Sequence, residues 1–469
     1  METVTFENYY DKRREIVEAN TNPVGVVLHE KELALDKKLI GLKRELLSDC
    51  GGAVPYDVPV LADSRAYNSE LYRFCSCLPK GADLHIHHMA ILPARELVAF
   101  LSGRDDVFIN LSTDSAPDLK CVSPGGEIPE GYVRLRDAIA EGRITVSELE
   151  RRWTVLGADA QENIWEYFER LFDAHSALSK NIDLVREYYV YAFRYCCRIN
   201  ILHLEIHCIL KGERENCVRM VNAIYDAYCT VKRECPDFSA RLIGAGLKYP
   251  KFDVEHARDC FLNTVYVRDK VRDNTDPEHI SDFVIGFDLV NEEDSSRPLK
   301  EYAPMLLKAK QEFPGFGFFL HCGESLDAES DNLVDAYLMG ASRVGHGMNL
   351  YRYPDLLKRY ADSEICLEVC VISNQTLEYT KDVRIHPATE YIKRGVAVSL
   401  CSDDPAYQEH ETLTDDFFAA IIGWNLGMAE IKQLCINSIV YSGLDKDRKR
   451  ALMQAFRRRW SEFLDHDLA

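Results

Sequence analysis

From residue 82 onward, short apolar runs rich in Val, Ile, Leu and Phe alternate with longer stretches in which apolar residues recur at helical spacing. Eight runs read as strands: 82–88, 199–208, 240–247, 283–290, 316–322, 342–346, 365–372 and 396–402. A short continuous apolar run is the mark of a strand covered on both faces, and helices between successive strands force those strands to lie parallel. Eight such units predict an α/β chain closed into a (β/α)8 TIM barrel.

Two regions break the rhythm. Residues 1–78 read as an N-terminal helical extension, in which Leu35, Leu39, Leu42 and Leu46 mark one apolar face among lysines and glutamates. Such a face packs on the body of the protein or on a second subunit, so a homodimer through the N-terminal helices is one expectation. The barrel proper is expected over 79–469, with an insertion at about 104–197 after the first strand. That insertion holds a Gly-, Pro- and Ser-rich loop around 113–130, then helical stretches at Asn163–Phe172 and Leu184–Cys196. It is expected to cover the barrel mouth. After the last strand, Thr412–Leu464 returns to helix.

Composition narrows the partners. A formal charge of −20 repels nucleic acid and acidic membrane surfaces, so neither is expected as a partner. The basic triplets Arg448-Lys449-Arg450 and Arg457-Arg458-Arg459 read as solvated helix ends. A small molecule is the natural ligand. The 16 cysteines are scattered without a Cys-x-x-Cys pair, which suits buried thiols in a reducing compartment. The sequence opens without a basic and apolar leader pattern, so the expected address is cytoplasmic, with secretion left open.

The chemistry concentrates at strand ends. Residues two apart on a strand share a face, so His85 and His87 in Ala82-Asp-Leu-His-Ile-His87 can close on one ion. Downstream strand ends carry His321-Cys-Gly-Glu324, Gly345-His346-Gly347 and Ser402-Asp403-Asp404-Pro405. A barrel gathers the C-terminal ends of its strands around one cavity. Three imidazoles and a carboxylate with one open position form the ligand set of a catalytic zinc, assigned to His85, His87, His321 and Asp403, one ion per chain. Such an ion brings the pKa of its water from 15.7 down to about 7. Glu324 is then free to shuttle a proton, and His346 to orient or deprotonate the water. His203 and His207, each two residues from Glu205 and so on one strand face with it, have no evident metal partner and read as core or supporting polar groups, with Glu205 a weaker substrate-site candidate. Gly244-Ala-Gly246 lacks the third glycine of a dinucleotide fingerprint and reads as a tight strand end.

In order along the chain, Pro79-Lys-Gly-Ala-Asp-Leu-His85-Ile-His87, Gly286-Phe-Asp-Leu, His321-Cys-Gly-Glu324, Arg343-Val-Gly-His346-Gly, Leu367-Glu-Val-Cys-Val-Ile-Ser-Asn374 and Ser402-Asp-Asp-Pro405 resemble the adenosine deaminase family. The Phe-Asp-Leu-Val and Trp165-Glu-Tyr-Phe168 stretches and the long helical arm are most similar to its growth-factor-related branch, whose members are typically secreted dimers. The resemblance implies a zinc hydrolase that removes ammonia from C6 of a purine nucleoside, adenosine or 2'-deoxyadenosine, in purine salvage. It also implies that Glu324 protonates the purine N1, that His346 and Asp403 hold the attacking water, that Asp404 meets N7, and that the backbone at Asn291 meets the N3 side. The family's usual glycine is Asn291 here, and Met89 stands where many members carry an aspartate that reaches the sugar. Glu292, Glu205 or His88 is left to take the sugar. Alternatives are the same chemistry on adenine, methylthioadenosine, an N6-modified adenosine or AMP, and a catalytically inactive binding protein. Two-metal hydrolysis would call for a lysine on the fourth strand, and Val284–Leu289 contains none.

Overall fold

Eight parallel strands hydrogen-bond in sequence order in the computed structural model, which describes residues 8–19, 25–49, 64–112, 116–123, 125–155, 163–272, 282–363, 365–408 and 410–467. They are β1 (Gly81–His87), β2 (Ile201–Ile209), β3 (Ser239–Leu247), β4 (Val284–Val290), β5 (Gly317–Cys322), β6 (Arg343–His346), β7 (Cys366–Val369) and β8 (Val398–Leu400). The last strand returns to the first through the Ile86–Asp403 bridge, where Asp403 N–H donates to His85 O (2.9 Å) and His87 N–H to Asp403 O (3.1 Å). The seam of the barrel thus runs through residues expected to hold metal.

Each apolar run forms a strand, and the differences lie at the ends. The seventh run stops early because Val371–Thr376 turns into a helix that carries Asn374. Gly244-Ala-Gly246 lies inside β3, not at its end. Thr264 of the helix Val254–Arg272 presses on Gly244, where a Cβ would sit 2.1 Å from its Oγ1, so the glycine serves close helix–strand packing.

In the N-terminal region the described helices are Tyr9–Ala19, Glu30–Asp49, Ser64–Tyr67 and Glu70–Cys77; the expectation for 1–7, 20–24 and 50–63 lies outside the described residues. Leu35, Leu39 and Leu46 are buried where Glu30–Asp49 packs on Met428–Val440 and Lys446–Asp467. Glu32 on the same helix is buried as well, accepting from Trp460 Nε1 at 2.8 Å. The leucine face is therefore consumed within the chain, and Leu33 and Ile40 remain exposed for any contact with a second copy.

The insertion departs from its helical reading. Val107–Asn110 pairs antiparallel with Asp118–Cys121 and with Tyr132–Arg134, so the span read as a loop supplies part of a three-stranded sheet. Its helices Ile164–Leu178 and Ile182–Arg198 do reach the barrel mouth. Tyr188 OH accepts from Ile91 N–H (3.0 Å), and the Phe172 ring lies 6.4 Å from that of His87. All described cysteines are free, Cys50 lying outside the described residues. No described helix is long and apolar enough to cross a membrane.

Candidate active site

His85 and His87 project from one face of β1, and β5 and the end of β8 bring His321 and Asp403 to them. His87 Nε2 lies 3.2 Å from His321 Nε2 and 3.1 Å from Asp403 Oδ1, while His85 Nε2 lies 3.5 Å from the same oxygen. The four potential ligand atoms all fall within 4.8 Å of one another. Space for the His85 ring depends on Gly345, where a Cβ would meet His85 Cε1 at 2.8 Å.

Two buried carboxylates fix the imidazoles from behind. Asp288 Oδ2 lies 2.5 Å from His321 Nδ1, and Glu368 Oε2 lies 2.8 Å from His85 Nδ1. With each Nδ1 protonated as donor, each Nε2 is left with its lone pair facing the rest of the group. Glu368 is itself anchored by Arg343, which also grips Glu205. The sequence reading assigned no role to Asp288 or Glu368. Both lie in quoted motifs, Gly286-Phe-Asp-Leu and Leu367-Glu-Val, and a charged residue at an inward position of an apolar strand was the signal available.

The donor set fits a zinc ion. Three imidazole nitrogens and one carboxylate converge, and the buried His85 Nε2 has no hydrogen-bond partner. A second grouping substitutes His346 and Cys370 for His87 and His321. Burial pushes the Cys370 thiol well up, and its Sγ–H is turned to Glu368 O, so it offers a thiol rather than a thiolate.

Beside this group, Glu324 Oε1 is 3.3 Å from His346 Nδ1, and Asn374 Nδ2 donates to Glu324 Oε1 (3.3 Å) and lies 3.2 Å from His346 Nδ1. Burial and the nearby Asp403 and Glu293 carboxylates raise the Glu324 pKa well above the usual range. Burial lowers His346 to about 3, leaving a neutral imidazole. Asp404 is buried next to Asp403, and one of its oxygens lacks a partner. Asn291 follows β4 with φ +123°, the backbone region that favours glycine.

The remaining candidates divide. His88 points at the insertion, with Nδ1 2.8 Å from Tyr189 OH and Nε2 buried without a partner. Glu292 accepts from Ser295 Oγ (2.5 Å) at the half-exposed rim. Glu205 does not join the group: Arg343, His203 Nε2 (3.1 Å) and Gly443 N–H (2.5 Å) occupy its carboxylate inside the barrel. His203 also meets Ser239, away from the site. His207 does border it, with Nδ1 2.8 Å from Asp288 Oδ2 and its ring 4.7 Å from that of His85. Its place beside the cluster follows from the two-residue period of β2 and agrees with its reading as a core or supporting polar group.

A model of the adenosine deaminase family matches residues 154–458. Adenosine deaminase 2-A of Danio rerio is 28% identical over 465 residues, 94% of this chain and 90% of that protein. An adenosine deaminase of Aedes albopictus is 27% identical over 494 residues, covering 99% and 89%. Among solved structures, the N6-methyl-AMP deaminase of Arabidopsis thaliana superposes with a TM-score of 0.60 at 16% identity, over 83% of this chain and 99% of that one. The adenine deaminase of Arthrobacter aurescens gives 0.57 at 20% identity, over 82% and 99%. These two likenesses bear on the fold.

Proposed function

The chain belongs to the adenosine deaminase family, and on that premise we propose that it hydrolyses adenosine, and 2'-deoxyadenosine with it, to the inosine product and ammonia with one zinc ion, as a step of purine salvage. The observation that carries the reading is the convergence of His85, His87, His321 and Asp403 within 4.8 Å beside the Glu324–His346 pair. Such a set is built for attack by water on an electron-poor carbon.

A zinc ion bound by those four residues supplies the Lewis acidity that makes water nucleophilic near neutral pH. The chain's own groups do the rest. Glu324, held protonated by burial, gives its proton to purine N1, which drains electron density from C6. His346, neutral and left-handed at φ +64°, faces Asp403 and accepts a proton from the attacking water. Asn374 holds Glu324 and His346 in mutual register. Asp404 meets N7, and the Asn291 backbone N–H meets the N3 side. His88 and Glu292 stand where the sugar emerges, toward the insertion and the rim. Expulsion of ammonia then needs only the return of a proton to the leaving nitrogen.

The solved relatives include enzymes named for N6-methyl-AMP and for adenine, so the substrate has to be argued from this chain. Electrostatics at the mouth favours a neutral sugar over a 5'-phosphate. Glu169 of the insertion has its pKa raised by burial and by Glu292, Asp173 and Glu166, with Lys251 as the opposing cation. Burial and the nearby Glu324, Asp294 and Glu292 carboxyl groups raise the Tyr379 hydroxyl as well. A phosphate dianion entering past these carboxylates is repelled. The test is a turnover screen of the zinc-loaded protein on adenosine, 2'-deoxyadenosine, adenine, 5'-methylthioadenosine, N6-methyladenosine and AMP. Adenosine and its deoxy form should give the highest kcat/KM. A larger kcat/KM for AMP or adenine overturns the nucleoside assignment, and no turnover of any of them overturns the enzymatic one.

A further inference from the structure

At the end of the barrel opposite the candidate metal group, a cavity of about 340 Å3 opens between the start of β3 and the helices Arg214–Glu234 and Lys446–Asp467. One side is basic, from Arg241, Lys232 and Arg448; the other is apolar, from Tyr228, Phe283 and Leu452. Two of the three cations are already engaged. Lys232 Nζ donates to Pro236 O (2.7 Å) and Phe238 O (2.9 Å), and Arg448 pairs with Asp282 (2.6 Å) and Asp445 (2.5 Å).

Arg241 is different. It is only 5% exposed, yet its one hydrogen bond runs from Nη1 to the neighbouring Ala240 O (2.6 Å), and its Nε has no partner. A guanidinium stays charged at any physiological pH, and a desolvated charge without a counter-ion is a state that folded proteins avoid. The nearby acids do not serve it: Asp237 holds Arg458 (2.5 Å) and Arg459 (3.6 Å), and Glu205 holds Arg343. A purely structural arginine in that position would have claimed one of them. In a chain of net charge −20, an open buried cation lining a cavity is a local exception that needs an anion to complete it.

We propose that this cavity binds a small organic phosphate monoester, its oxyanion on the Arg241 guanidinium and its apolar body against Tyr228, Phe283 and Leu452. The planar fork of arginine suits two phosphate oxygens at once, and aromatic walls suit a flat hydrocarbon group. The site is separate from the deaminase centre and does not depend on that reading.

Titration calorimetry of the full zinc-loaded chain with phenyl phosphate tests it. The expected result is saturable binding of one phenyl phosphate per chain. Arg241→Met keeps the side-chain bulk without the charge and should weaken binding at least tenfold. Leu452→Trp fills the apolar half from the helix side and should do the same, which keeps the test alive if the arginine variant fails to fold. Both folded variants should turn over adenosine as the parent does. Absence of saturable binding in the parent protein, or an unchanged affinity in either folded variant, overturns the assignment.

Discussion

Replacing Glu368 by glutamine alters one atom, yet the structure makes it a tautomer switch. Glu368 is fully buried and gives one oxygen to Arg343 Nε and the other, at 2.8 Å, to His85 Nδ1. An amide has one oxygen and one NH2, so it cannot accept from both neighbours. The charged guanidinium takes the oxygen, and the NH2 is turned on His85 Nδ1. That nitrogen must then accept, which places the ring proton on Nε2, the atom that faces Asp403 at 3.5 Å and belongs to the metal-ligand set. Loss of such an orienting partner costs about 10–100-fold in metal affinity, or about 1.4–2.8 kcal/mol. The tautomer conflict puts Glu368→Gln at the upper end. Zinc affinity is read by competition with a chromophoric chelator at neutral pH. A second substitution sharpens the test: Arg343→Met in the same chain frees the amide oxygen for His85, so the double variant should bind zinc more tightly than Glu368→Gln alone, a non-additive result. If Glu368→Gln keeps zinc affinity within about threefold of the parent, well short of the range expected for a lost orienting partner, or if the double variant binds no better than the single one, the tautomer reasoning fails.

Glu324→Gln should retain zinc while turnover falls by about 10²–10⁴, the range for lost acid–base catalysis; near-normal turnover would refute the proton-donor role. Because the Glu324 pKa is raised, its protonated form is present below that pKa and lost as pH rises through it, so kcat/KM of the parent should decline on the alkaline side. The glutamine variant should lack that limb, and an identical profile in both proteins assigns the limb elsewhere. Removal of metal by a chelator should lower the melting temperature, since a ligand at a hundred times its Kd stabilises the native state by about 2.7 kcal/mol; a melting curve indifferent to chelation argues against a resident ion. Asn291→Gly relieves a side chain from φ +123°. The strain released, about 1–3 kcal/mol, outweighs the added backbone freedom of glycine, about 0.5–1 kcal/mol, so urea unfolding should show a gain of about 1 kcal/mol, and a loss would show that the side chain itself is held by useful contacts.

The barrel strands were legible because burial on both faces writes itself as uninterrupted apolar runs, and β2 to β5 match those runs to within two residues at either end. The candidate ligands at strand ends stood out for the same reason: His85, His87 and His321 interrupt such runs with polarity that a core position does not tolerate without a partner. The insertion's small sheet was not legible. Its strands are three or four residues long, and Tyr132–Arg134 is only half buried, so no period has room to repeat. Glu205 looked like a site residue because it alternates with His203 and His207 on β2. The structure shows that one strand face can serve two ends of the barrel: His207 borders the ligand cluster, while Glu205 and His203 bind Arg343 and Ser239 deeper down. Period two identifies a face and leaves depth along the axis to long-range pairing.

The same rule breaks at the point where chemistry needs it to. In an extended chain Asp403 and Asp404 would face opposite ways, and only one of them could reach the cavity. Asp403 instead adopts φ +61°, and His346 at the end of β6 adopts φ +64°, both without the freedom of glycine. Each departure costs about 1–3 kcal/mol and persists only where the surroundings enforce it. Here the enforcement is visible: Asp403 N–H and C=O are clamped to His85 O and His87 N–H across the barrel seam, and Gly347 N–H donates to Cys322 O (3.1 Å) just after His346. The turn at 403 lets adjacent carboxylates share the cavity, one set against the imidazoles and the other buried beside it with a free oxygen. Closing the barrel and arming the site are therefore one structural event, because the hydrogen bonds that complete the last strand pairing are those that hold the strained carboxylate in place.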